Sequence, residues 1–250
     1  MAIIFLESRG FSATHVISDM LRLDRRAAVS HGVKNFNDSN PQATDLPFEN
    51  FLAEMKEKQK KYGNCISVHS LYEQSLISKA AATTPDVKFY GLARKSQKNQ
   101  IISCMSWALN NLLDGRQGFM DILSQIHLSH KESLNKIGLA SNLLTCSGLY
   151  AMTEVLRYNA TLALHAERVF LMEQILENPK RFAQEIGIKP PDDVEFKIKK
   201  GNSHKEKLKG YNFFSDIDNT ITILMENFST EYNGNLFKVG DVETLLQKAS

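Results

Sequence analysis

Cysteine is scarce: the 250-residue chain has three, Cys65, Cys104 and Cys146. They are widely spaced, odd in number and set among apolar residues, which argues against a disulfide framework or a zinc site and reads as reduced core thiols in a reducing cytoplasm. Long hydrophobic runs are missing too, since no stretch reaches the roughly 20 apolar residues that a membrane-spanning helix needs. The leading segment MAIIFLESRG lacks a basic region, is short for a signal core with a cleavage site, and ends in charge; it reads as a first strand. Neither sign of charge dominates: 30 Lys and Arg against 28 Asp and Glu leave a formal net charge of +2, too little to imply nucleic acid. The full G-x-x-x-x-G-K-[ST] phosphate loop is absent, as is the G-x-G-x-x-G turn. Nothing has D-x-D-x-D or H-x-x-x-H spacing, so no metal is expected. There is no internal repeat or low-complexity tract. The expectation is a soluble cytoplasmic chain forming one domain over residues 1–250, with no nucleic-acid or membrane partner.

What is present is an alternation of short apolar runs with helical periodicity. The runs AIIFLE, RAAVSH, CISVHSL, VKFYGLAR and ERVFLME read as strands. Amphipathic segments fall near Thr14 to Leu23, Phe48 to Lys61 and Gln97 to Leu113, with a long helical region from about Gly118 to Leu164. The class is therefore α/β. Strands without polar alternation imply a buried parallel sheet with helices on both faces, a three-layer αβα arrangement. Two polar loops, GVKNFNDSNPQATDLPFEN and the lysine-rich KPPDDVEFKIKKGNSHKEKLKGYNFF, are placed to cover a site. Trp107 and Met172 read as core packing.

The first turn draws the most chemistry. In SRGFSATH an apolar strand runs into Gly10, then into Ser12 and Thr14 as hydroxyl donors, with the backbone amides of Phe11, Ser12, Ala13, Thr14 and His15 converging on a helix start and Arg9 as a counter-charge. An anion site is the expectation. His69 follows an apolar strand, and His31 ends another. With an unperturbed pKa near 6.5, either could serve as a base.

Read in order, these segments resemble the sulfotransferases that use 3′-phosphoadenosine 5′-phosphosulfate, both cytosolic and carbohydrate-acting. GFSATH resembles that family's P-K-S-G-T-T or R-S-G-T loop, with Ser12, Ala13 and Thr14 in the S-G-T places. CISVHSLYEQSL puts His69 where the family has the histidine of K-T-H. KFYGLARKSQKNQIISCMSW resembles R-x-P-x-x-x-x-x-S, through Ser103 and either Arg94, one residue too far, or Lys95. ERVFLMEQILENPKRFAQEIGI is similar to the strand, E-D-L-x-x-x-P and F-L-G-[LI] series, and KIKKGNSHKEKLKGY to the late R-K-G loop, giving Lys199, Lys200 and Gly201.

The resemblance implies a P-loop-like sulfotransferase architecture and transfer of a sulfo group to a hydroxyl or amine of a small-molecule or carbohydrate acceptor. The 5′-phosphosulfate would lie in the first loop. Arg94 or Lys95, Ser103, Lys199, Lys200 and Gly201 would hold the 3′-phosphate. His69 would be the catalytic base, with His31 its rival and Arg9 a catalytic cation. Three departures stand out: Phe11 occupies the place of the loop's Lys or Arg, Ala13 replaces its Gly, and Ser67 replaces the Lys of K-T-H. Two further readings stay open, a catalytically silent nucleotide-binding or interaction protein of the same fold, and a small P-loop kinase. The second lacks both a G-K-[ST] loop and an evident magnesium carboxylate.

Overall fold

The computed structural model describes residues 1–10, 14–31, 46–189 and 204–250. Phe11, Ser12, Ala13, most of the loop after His31, and the segment from Pro190 to Ser203 with Lys199, Lys200 and Gly201 lie outside the described residues. The chain divides into two compact units, Met1–Lys95 with Thr161–Lys199 and Leu245–Ser250, and Ser96–Ala160 with Lys200–Thr244.

The first unit carries β1 (Ala2–Glu7), α1 (Thr14–Leu21), β2 (Ala27–His31), α2 (Phe48–Tyr62), β3 (Asn64–Val68), α3 (Gln74–Thr83) and β4 (Val87–Ala93). After the helices α4 (Gln97–Leu113), α5 (Gln117–Lys136) and α6 (Leu143–His165) come β5 (Arg168–Leu171), α7 (Met172–Glu177) and α8 (Pro179–Glu185). The five strands form one parallel sheet in the order β2-β3-β1-β4-β5. Parallel strands must be joined by crossovers, which is why a helical segment follows each of them.

Both faces of this sheet are buried. On one, Ile4, Leu6, Ile66, Val68, Leu92 and Phe170 pack against Ile17, Met20 and Leu21 of α1 and against Ile175 and Phe182 of α7 and α8. On the other, the Phe5 ring lies 5.9 Å from Phe48 and 6.4 Å from Phe51 of α2. This is the α/β arrangement expected from continuous apolar runs. The amino edge is tied by the Ala2 amide, which donates to Asn64 Oδ1 at 3.0 Å.

The strand boundaries differ from the sequence reading where the backbone turns. Within CISVHSL the strand ends at Val68, because His69 and Leu71 have φ of 57° and 67°, outside any strand. ERVFLME passes from strand to helix at Met172. The region 118–164 is two helices, because Asn142 opens α6 with a reciprocal cap: Asn142 Oδ1 accepts from the Thr145 amide and Thr145 Oγ1 accepts from the Asn142 amide, each at 3.0 Å.

The second unit holds α4, α5, most of α6, α9 (Ile217–Asn227), the antiparallel strands β6 (Thr230–Tyr232) and β7 (Asn235–Phe237), and the first part of α10 (Val239–Ala249). Ser96 caps α4 by accepting from the Asn99 amide at 3.2 Å. Within it, Asn159 Nδ2 donates to Gln97 Oε1 at 2.6 Å and to Gln100 Oε1 at 2.9 Å, a buried polar cluster. No described helix is long and apolar enough to cross a membrane.

Gly91 in β4 supplies a stability test. A Cβ there would meet Val169 Cγ2 at 3.0 Å and Leu162 Cβ at 3.2 Å. Gly91→Ala is expected to lower unfolding free energy by about 1–3 kcal/mol through overpacking, measured by urea denaturation. An unchanged midpoint and slope would show that the strand has slack there.

Candidate functional site

Parallel strands end on a common edge, and β1, β2 and β3 end there at Glu7, His31 and Val68. His31 pairs in register with Val68, which pairs with Leu6. The chain leaves β1 toward β2 on one side and leaves β3 toward β4 on the other. Such divergence opens a crevice at the carboxyl edge, where α/β proteins gather their ligands.

The turn after β1 is built on Ser8. Its hydroxyl accepts from the Gly10 amide at 3.0 Å, and Gly10 takes φ of 92°, a conformation that L side chains avoid. The His69 ring packs onto the turn: a Cβ on Gly10 would stand 3.8 Å from both His69 Nε2 and Cε1. Two further bonds fix that ring to β1. The His69 amide donates to the Leu6 carbonyl at 2.9 Å, and Nδ1 lies 2.7 Å from the Ser8 carbonyl oxygen. A carbonyl can only accept, so Nδ1 carries the proton and Nε2 presents its lone pair beside Gly10. Burial pushes the His69 pKa down; the bond to Ser8 opposes this, and the charges of Arg9 and His15 add to it. His69 is thus neutral near pH 7, in the tautomer that can take a proton at Nε2.

His31 belongs to the same cluster. Its Nε2 is 3.0 Å from Thr14 Oγ1 at the first residue of α1, its ring centroid is 3.9 Å from that of exposed His15, and 6.3 Å from that of His69. Burial, followed by the charges of His15, His69 and Arg22, pushes its pKa down to about 3. A group of that pKa is a feeble base at neutral pH, and its hydrogen bond ties it to Thr14.

Arg94 and Lys95 follow β4, the strand beside β1, and so stand on the same edge; Arg94 is partly buried and Lys95 exposed. The Lys95 amide donates to Glu173 Oε2 at 2.8 Å. Ser103 lies in α4, in the second unit, where its hydroxyl donates to the Asn99 carbonyl at 3.0 Å. The edge therefore gathers Arg9, Gly10, Thr14, His15, His31 and His69.

Sequence reading passed over Glu7, Ser8 and Ser70, which hold this geometry. Glu7 has no accessible surface, and its two carboxyl oxygens lie 3.1 and 3.2 Å from the Ser70 amide nitrogen. The signal for it was a carboxylate ending an otherwise apolar strand. An open groove lined by Arg168, Phe170, Arg181 and Glu185 lies at β5, the opposite side of the sheet from β2 and β3. Its two arginines are already engaged by Glu185, at 2.9 and 2.8 Å.

No family model matches the chain, and a search of curated proteins found no match. Among solved structures, a sulfotransferase from Alicyclobacillus acidocaldarius is similar at 13% identity and a TM-score of 0.43, over 91% of this chain and 97% of that one. A likeness that slight transfers neither residues nor activity.

Two outcomes follow from the geometry. His31 resists protonation in the fold down to about pH 3, whereas the unfolded chain takes up that proton near 6.5; stability is therefore held above pH 6.5 and falls as pH drops toward 3. Melting temperature should decline over that window, and the decline should be shallower in His31→Gln; equal slopes would remove His31 as the cause. Gly10→Ala forces a side chain into a left-handed turn against His69 and should lower the unfolding free energy by about 1–2 kcal/mol, measured by urea denaturation. An unchanged midpoint and slope would show that the turn accommodates a side chain.

Proposed function

We propose that the protein is a sulfotransferase that moves a sulfo group from 3′-phosphoadenosine 5′-phosphosulfate to a hydroxyl or amine of a small-molecule or carbohydrate acceptor. The observation that carries this reading is the fixed tautomer of His69: Nδ1 donates to the Ser8 carbonyl, and Nε2 faces the turn that begins at Arg9. The motif series from GFSATH to KGNSHKEKLKGY supports it.

The residues present suit the donor. Gly10 leaves room for a close approach to backbone, Thr14 opens α1 where helix amides and dipole favour an anion, and Arg94 and Lys95 supply positive charge on the same edge. When bound, the donor supplies an activated sulfo group whose bond to the phosphate oxygen breaks as a bond to the acceptor oxygen or nitrogen forms. His69 Nε2 takes the acceptor's proton. Arg9, whose charge already acts on His69, offsets negative charge gathering on the leaving phosphate in place of the cation that Phe11 cannot provide. His31 holds the Thr14 hydroxyl and leaves proton transfer to His69.

Titration with 3′-phosphoadenosine 5′-phosphate and with ATP, both without magnesium, tests the donor class. Preference for the bisphosphate is expected, and preference for ATP would favour a kinase. On an acceptor that turns over, His69→Ala should lower kcat by about two to four orders of magnitude with bisphosphate affinity intact, while His31→Ala keeps most of its turnover. The reverse pattern would move the base to β2. Tight bisphosphate binding with no turnover across acceptors would favour the silent nucleotide-binding protein that Phe11 suggests.

A further inference from the structure

We propose that Glu7 is the positioning residue of this site: its buried carboxyl group holds the Ser70 amide and so fixes the left-handed turn that sets His69 Nε2 against Gly10. The inference rests on the reading of His69 as the acceptor base.

Glu7 is a carboxyl group without accessible surface at the end of a strand whose other buried side chains are apolar. Burying such a group is costly unless its oxygens find donors. One such donor is the Ser70 amide, which lies within reach of both oxygens. Ser70 is also fully buried, and the ladder of β3 has ended two residues earlier, so without Glu7 the described structure offers that amide no strand partner. Leu6 and Glu7 of β1 and Ser8 just after it thus take three donors from His69 and Ser70: the Leu6 carbonyl takes the His69 amide, the Glu7 carboxyl takes the Ser70 amide, and the Ser8 carbonyl takes His69 Nδ1. His69 at these anchors and Leu71 directly after them have φ of 57° and 67°. Neither residue adopts that conformation unless its surroundings impose it. Loss of the middle anchor frees Ser70, lets the turn relax, and withdraws Nδ1 from the Ser8 carbonyl, so that the tautomer of His69 is no longer set.

The test compares Glu7→Met, close in size but lacking an acceptor, with Glu7→Gln, which keeps one acceptor oxygen. In protein labelled with ¹⁵N at histidine, NMR at neutral pH should show His69 protonated at Nδ1 and bare at Nε2 in the native chain and in Glu7→Gln. Glu7→Met should show a mixture, with kcat lowered at least tenfold and the Kd for 3′-phosphoadenosine 5′-phosphate unchanged. A folded Glu7→Met variant with the native His69 signal and full kcat overturns the proposal. If Glu7→Met does not fold, hydrogen exchange in the native chain decides: the Ser70 amide should exchange slowly and faster in Glu7→Gln, and rapid exchange in the native chain overturns it. Absence of turnover by the native chain on every acceptor defeats the sulfo-transfer reading alone, and the tautomer comparison still decides Glu7.

Discussion

The hydrogen bond from the His69 amide to the Leu6 carbonyl continues the β1–β3 ladder past the last residue of β3, and the site hangs from that extension. It is available because β1 lies inside the sheet, paired to β3 on one side and β4 on the other, so its ending is fixed from both flanks. A backbone hydrogen bond of this kind contributes only about 1 kcal/mol net, yet a buried amide or carbonyl left without a partner costs more. The arrangement is held by the penalty for breaking it.

Electrostatics then acts on a geometry that the backbone has already set. The charges of His15, His69 and Arg22 disfavour a proton on His31, those of Arg9 and His15 disfavour one on His69, and burial, the larger effect at both rings, pushes in the same direction. The outcome is two neutral imidazoles inside a basic environment, one engaged with a helix hydroxyl and the other with its bare Nε2 beside Gly10. Neutral rings and a guanidinium coexist there because desolvation keeps the buried imidazoles unprotonated while an arginine stays cationic.

Much of the sheet was legible in the sequence, since a strand buried on both faces must be apolar throughout. AIIFLE coincides with β1, and the span Gln97 to Leu113 coincides with α4, where Ser96 gives a start signal. Backbone that departs from regular dihedrals was less legible. CISVHSL is apolar enough to read as strand to its end, and nothing in its side chains announces the positive φ of His69. The antiparallel pair β6–β7 was passed over although Asn233 and Gly234, at φ of 50° and 74°, are a pair that suits a tight hairpin. Grouping of His31 with His69 follows from strand order, which a sequence does not state, and Glu7 looked like the polar end of a strand because its partner lies 63 residues away.

The cysteines give the molecule internal clocks. All three are buried and outside any disulfide, with the Cys65 thiol pushed up to about 12 by burial and Cys146 raised as well. Alkylating reagents need an accessible thiolate, so burial shields all three thiols and ionisation further shields Cys65 and Cys146. Cys65 sits on β3, four residues before His69, whereas Cys104 and Cys146 sit in α4 and α6 of the second unit. The rate at which each thiol is modified therefore times the opening of a different part of the chain, and the native sequence already carries the probes needed to learn which unit breathes first.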